Sequence, residues 1–99
     1  MLKDLATRFE KASALYAATH ELQRDRDWFM LKLQEEIGEL TQAFNRLTGR
    51  GRAKGRTREE IRQDLADEAA DVLGHILLLA HQHELDLEAA IERKWLFRP

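Results

Sequence analysis

The only proline among 99 residues is the last one, so nothing in the interior of the chain forbids a helix outright. Five glycines are the remaining breakers, and three of them, Gly49, Gly51 and Gly55, fall within one short stretch. Elsewhere Ala, Leu, Glu, Gln and Arg dominate, all of them good helix formers. The chain is therefore expected to be all-α, its helices separated by polar turns. It has no cysteine, which removes disulfides and thiolate metal sites and agrees with a reducing, cytoplasmic setting. No segment approaches the roughly 20 apolar residues of a membrane span, and the first residues lack the apolar core of a signal peptide. Residues 1–99 read as a single soluble helical domain. That length lies near the lower limit for burying a sufficient core alone, which points to a homodimer or tetramer.

Apolar periodicity divides the chain into four helices. From Leu2 to about Leu22, the residues Leu2, Leu5, Phe9, Ala12, Tyr16 and Thr19 fall on one stripe. A polar run follows, in which Asp25 or Asp27 is suited to cap the next helix. That helix is expected over Trp28 to Leu47, with Phe29, Leu33, Ile37, Leu40, Phe44 and Leu47 inward. The glycine-rich break over residues 49–56 ends at Thr57-Arg58-Glu59-Glu60, which has the form of a capping box and starts a third helix running to about His83. Its stripe is Ile61, Leu65, Ala69, Val72, Ile76 and Leu79. The run Val72 to Ala80 is apolar around much of the helix, as expected if a partner subunit covers a second side. Asp86 caps a last short helix, Leu87 to about Trp95, with Leu87, Ala90, Ile91 and Trp95 inward.

Two carboxylate pairs stand out. Glu36 and Glu39 are three residues apart, as are Glu68 and Asp71, and residues at that spacing share a helix face. Advancing about 100° per residue from Leu33 puts Glu36 about 60° and Glu39 about 120° to one side of the stripe, with Glu35 almost opposite. The same projection from Leu65 gives Glu68 and Asp71 the same two offsets. Packed together, the helices would form a four-carboxylate cluster beside apolar surface. Such a cluster is costly unless a cation neutralises it, and oxygen-only ligands suit Mg²⁺ or Mn²⁺. Solvated flank residues, paired with Lys32 or Arg62, are the plainer reading of each pair taken singly. A di-iron bundle would need Glu-x-x-His pairs. The residues three before His20, His75, His81 and His83 are Ala17, Val72, Leu78 and Ala80, which excludes it.

The segment Leu33-Gln34-Glu35-Glu36-Ile37-Gly38-Glu39-Leu40, then Glu68-Ala69-Ala70-Asp71-Val72-Leu73, then Leu85-Asp86-Leu87-Glu88-Ala89-Ala90-Ile91 with Lys94, resembles the MazG-like all-α nucleotide pyrophosphohydrolase superfamily over roughly residues 28 to 94. The resemblance implies a four-helix MazG-like bundle that cleaves a nucleoside triphosphate to monophosphate and pyrophosphate with Mg²⁺. Its metal ligands would be Glu36, Glu39, Glu68 and Asp71, with Lys94 contacting the nucleotide. The string Glu68 to Leu79 also resembles the phosphoribosyl-ATP pyrophosphohydrolase of histidine biosynthesis, in which a histidine often occupies the place of His75. Gly38-Glu39-Leu40 favours the MazG side. The tail Trp95-Leu96-Phe97-Arg98-Pro99 departs from the superfamily pattern in having no asparagine after Lys94.

Other residues take secondary roles. Glu35 or Glu39 could accept the proton of the attacking water. Lys32 projects toward Glu36 and Glu39 and suits a phosphate, and Trp28 suits either the core or stacking on a base. The cations Arg46, Arg50, Arg52, Lys54, Arg56 and Arg58 run without an intervening acid, leaving 10 basic against 18 acidic residues elsewhere. They could steer a polyphosphate or merely solvate a connector. No aromatic residue interleaves them and the net charge is −2, which argues against nucleic acid. The rival to a hydrolase is a non-catalytic helical interaction module that docks through its first helix.

Overall fold

A computed structural model describes residues 1–99 and contains four helices: α1 Leu2–Thr19, α2 Trp28–Leu47, α3 Arg58–Gln82 and α4 Leu87–Trp95. The starts of α3 and α4 follow the sequence signals. Thr57 Oγ1 accepts from the Glu60 amide at 3.1 Å while Glu60 Oε1 accepts from the Thr57 amide at 2.8 Å, a complete capping box. Asp86 Oδ1 accepts from the Ala89 amide at 3.0 Å. At the start of α2 it is the Asp25 carboxylate that acts, accepting from the amides of Asp27 and Trp28, and Asp27 makes no side-chain cap.

The first helix stops three residues earlier than its periodicity suggests, because Glu21 turns into the left-handed region at φ 54°. The Leu22 amide then bonds back to Ala17 O at 2.8 Å, which satisfies a carbonyl the helix leaves open. The third helix ends identically through Glu84 at φ 53° and Leu85 N to Ala80 O.

Helices α2 and α3 form the main packed pair and α1 lies against α3. Gly74 makes the second contact possible: a Cβ there would stand 2.7 Å from the Phe9 ring. Glu10 and Arg24 tie α1 to the connector that follows it, at 2.8 and 2.9 Å between paired nitrogens and oxygens, and the Arg24 guanidinium lies 5.2 Å from the Phe29 ring centroid. The Glu88 carboxylate accepts from the Leu2 amide at 2.7 Å and so holds α4 to α1.

Which apolar residues are buried differs from the projected stripes. On α2 the buried row is Phe29, Leu33, Glu36 and Ala43, whereas Ile37 and Phe44 are exposed. On α3 Leu77, Leu78 and Ala80 are buried, whereas Ala69 and Ile76 are exposed. On α1 Ala6 and Ala17 are buried, and Ala12, Tyr16 and Thr19 are not. Trp95 is exposed as well, because α4 ends at once in the left-handed Leu96. The reason is shape. The subunit measures 42 × 41 × 20 Å, about two helix diameters thick. A helix with two apolar sides in so thin a layer covers only one of them. Only 11 of 99 residues are buried, and the radius of gyration, 15.7 Å, exceeds the roughly 13 Å of a compact chain this long.

Candidate active site

The side of α2 that turns inward carries Glu36 with it. This carboxylate is 6% exposed, and its Oε2 is fully buried with no hydrogen-bond partner. Oxygens of Glu36, Glu39 and Glu68 lie within 4.8 Å of one another. Glu68 also has a buried, unpartnered Oε2. Three of the four carboxylates singled out by spacing therefore converge between α2 and α3. The fourth, Asp71, is exposed one turn along α3, at the edge of the group and close enough for its charge to act on both Glu36 and Glu68.

Electrostatics follow from this crowding. Burial first, then the charges of Glu39 and Asp71, push Glu36 up from 4.5 to about 7, against a smaller opposing pull from Lys32. Glu68 is raised for the same reasons, burial first and then Glu39 and Asp71, with Arg46 pulling the other way. Such a trio is short of positive charge. Two carboxylates with an orphaned oxygen each, in a trio of converging acids, are what a hard divalent cation would satisfy, so the residues fit Mg²⁺ or Mn²⁺.

Around the trio, Lys32 Nζ reaches Glu35 at 3.3 Å and Glu36 Oε1 at 3.9 Å. Glu35 itself is exposed, as its projection away from the stripe requires. His75 Nε2 stands 3.9 Å from the same Glu36 oxygen, and burial, followed by the nearby Lys32 charge, lowers its pKa. Trp28 is half-buried, edge-on to Phe29 at 5.1 Å and tilted over His75 at 6.1 Å between ring centroids. Lys94 is exposed on α4, outside the converging group. Two neighbours of the trio, His75 and Arg46, carry no signal of that place in the apolar periodicity. His75 stands out in the sequence by resemblance alone, although it lies seven residues from Glu68 on one face. Arg46 belongs by sequence to the run of loop cations, although it lies seven residues from Glu39 on one face.

A helical subunit whose packed pair α2 and α3 brings carboxylates together agrees with the comparison by family, which places the chain among the MazG-like all-α nucleoside triphosphate pyrophosphohydrolases. Within that superfamily it belongs to the phosphoribosyl-ATP pyrophosphohydrolase family, whose model matches residues 2–93. The match takes in α1, which the sequence resemblance did not reach. It falls on the branch suggested by the string around His75 rather than the one suggested by Gly38-Glu39-Leu40. The family is one of pyrophosphohydrolases and typically depends on a divalent metal. No curated protein and no solved structure gives a significant match. No helix is long and apolar enough to cross a membrane.

Proposed function

We propose that the protein releases pyrophosphate from a nucleotide carrying a triphosphate, and that phosphoribosyl-ATP is its first candidate substrate. The observation that carries this reading is the buried Glu36 carboxylate, its Oε2 without a partner, converging with Glu39 and Glu68. Keeping such a group ionised is costly unless something outside the chain neutralises it. Glu36, Glu39 and Glu68, with Asp71 at the edge, would hold Mg²⁺, Mn²⁺ being an alternative. When bound, the cation neutralises phosphate charge and favours attack by water. The chain's own part is to bind and orient. Lys32, already beside Glu35 and Glu36, takes a phosphate oxygen, with Lys94 a further nucleotide contact by resemblance. Glu35 or Glu39, at the rim of the cluster, accepts the proton of the attacking water.

The family match supports phosphoribosyl-ATP, whereas Gly38-Glu39-Leu40 supports a free nucleoside triphosphate as the second reading. A second copy of the chain is the proposed cover for the apolar side that includes Met30, Ile37, Phe44, Leu73 and Ile76, all exposed in one subunit. The absence of cysteine supports a cytoplasmic location.

Pyrophosphate release from phosphoribosyl-ATP and from a panel of nucleoside triphosphates, with and without Mg²⁺, tests the reading for the wild type and Glu36→Gln. Metal-dependent release by the wild type alone is expected. No release from any of these nucleotides would return the chain to a non-catalytic helical module.

A further inference from the structure

The site has two unlike ends. On α2, Trp28, Lys32 and Arg46 lie eleven and seven residues before and seven residues after Glu39. At about 100° per residue, all three point within about 20° of the Glu39 direction. The face therefore runs from Trp28 and a single cation, Lys32, through the carboxylates, to Arg46 and the cation-rich loop beyond it. At the aromatic end Trp28 packs against Phe29 and His75. Arg46, at the cationic end, is half-buried, about 10 Å along the helix from Glu39. Side chains on a helix lean toward its N-terminus, so Arg46 leans toward Glu39. Its charge acts on Glu68 across the helix pair.

The basic loop is seated on this same arginine. The Gly51 amide donates to Asn45 O at 3.0 Å. A Cβ at Gly51 would stand 3.2 Å from Arg46 Cγ, so the loop backbone lies directly on the arginine stem. Of the loop cations, Arg56 is held by Asp64 at 2.7 Å and Arg50 lies 5.4 Å from the Phe44 ring centroid. Arg46 enters neither kind of contact. A guanidinium whose stem is covered by the loop and whose head makes no ion pair, where the cation-rich loop meets the carboxylates, suits a doubly charged anionic group.

We propose that a bound nucleotide lies along α2 in one direction, its base toward Trp28 and its terminal two phosphates toward Arg46, which together with the loop cations receives the departing pyrophosphate. This rests on the hydrolase reading above and adds a polarity and a phosphate-binding residue to it. Hydrolysis breaks the bond from the first phosphorus to the oxygen that bridges it to the second: water adds to the first phosphorus and gives its proton to Glu35 or Glu39, and the pyrophosphate leaves with the bonding electron pair toward the cationic end.

Calorimetric titration of the full chain with pyrophosphate and, separately, with adenosine 5′-monophosphate, both with Mg²⁺, tests the polarity. Arg46→Gln should weaken pyrophosphate binding about tenfold or more while changing monophosphate binding less than about twofold, and Arg46→Lys should recover part of the loss. In a Trp95→Phe background the emission of Trp28 should respond to the monophosphate and not to pyrophosphate, a readout that leaves Trp28 intact. The reverse pattern, or equal effects on both ligands, would overturn the polarity. If the wild type releases pyrophosphate from a nucleotide yet Arg46→Gln binds it unchanged, the polarity fails and the hydrolase reading stands. A wild type that neither binds nor releases pyrophosphate overturns both.

Discussion

Glu10 and Glu36 are both carboxylates drawn against the packed helices, and the chain treats them oppositely. Glu10 receives two hydrogen bonds from Arg24, whose guanidinium is in turn braced on Phe29 and bonded to Ser13 Oγ at 3.2 Å. Those bonds hold its pKa below the usual carboxylate value. Glu36 has Lys32 and His75 no nearer than 3.9 Å and faces two other carboxylates, so its pKa rises to about 7. A protein able to place an arginine against Glu10 could have done the same for Glu36. Where it does not, the Glu36 carboxylate is left without a close counter-charge, as the proposed cation site requires.

The largest effect expected from breaking this contrast is on activity. Glu36→Gln should lower kcat/KM by about a thousandfold or more, since a lost ligand removes several kcal/mol of charge stabilisation. The same variant should melt higher than the wild type at pH 8 without metal, because it removes a buried charge. A metal-free melting temperature that falls would count against the burial cost assigned to Glu36.

Next comes pH. A carboxyl raised in the folded state from 4.5 to about 7 contributes stability that is complete below 4.5 and lost as pH rises through 7. Metal-free protein should therefore lose up to about 3 kcal/mol between those limits by urea titration. Saturating Mg²⁺ should flatten the slope. Glu10 carries the opposite sign: its contribution is present above 4.5 and lost as pH falls below it. A slope unaffected by Mg²⁺ would break the link between the strained carboxylate and metal.

Arg24→Ala should be smaller and purely structural. Losing a charged, two-pronged hydrogen bond to Glu10 costs about 2 kcal/mol in urea unfolding. The kcat of the folded variant should stay near that of the wild type. The smallest effect belongs to Lys32→Gln in metal-free protein. Lys32 is the one cation that pulls Glu36 down, so removing it should move the pH at which stability falls further upward. Melting curves across pH would show this, and a downward movement would contradict it.

Much of the molecule was legible as local chemistry. Thr57 and Asp86 cap where their side chains can reach an amide three residues on, and that depends on the adjacent sequence alone. The helix boundaries of α2 and α4 follow from the same signals. Glu36, Glu39 and Glu68 could be paired across two helices because equal spacing imposes equal angular offsets, whatever the fold around them.

Which side of each helix turns inward was decided only by tertiary packing. Helix α2 is apolar on two sides, and periodicity averages them into one stripe through Ile37 and Phe44. The contact with α3 selects instead the row through Leu33, Glu36 and Ala43. That choice converts Glu36 from a flank residue into a buried one. Gly51 lies on Arg46 through a separate local turn, in which the Arg50 and Gly51 amides donate to Asn45 O, a path no apolar periodicity encodes. By itself the sequence determined the helices and the acids they carry, because both depend on spacing along one chain. Burial, orphaned oxygens and the displaced pKa needed the third dimension, because they depend on which surfaces of different helices meet.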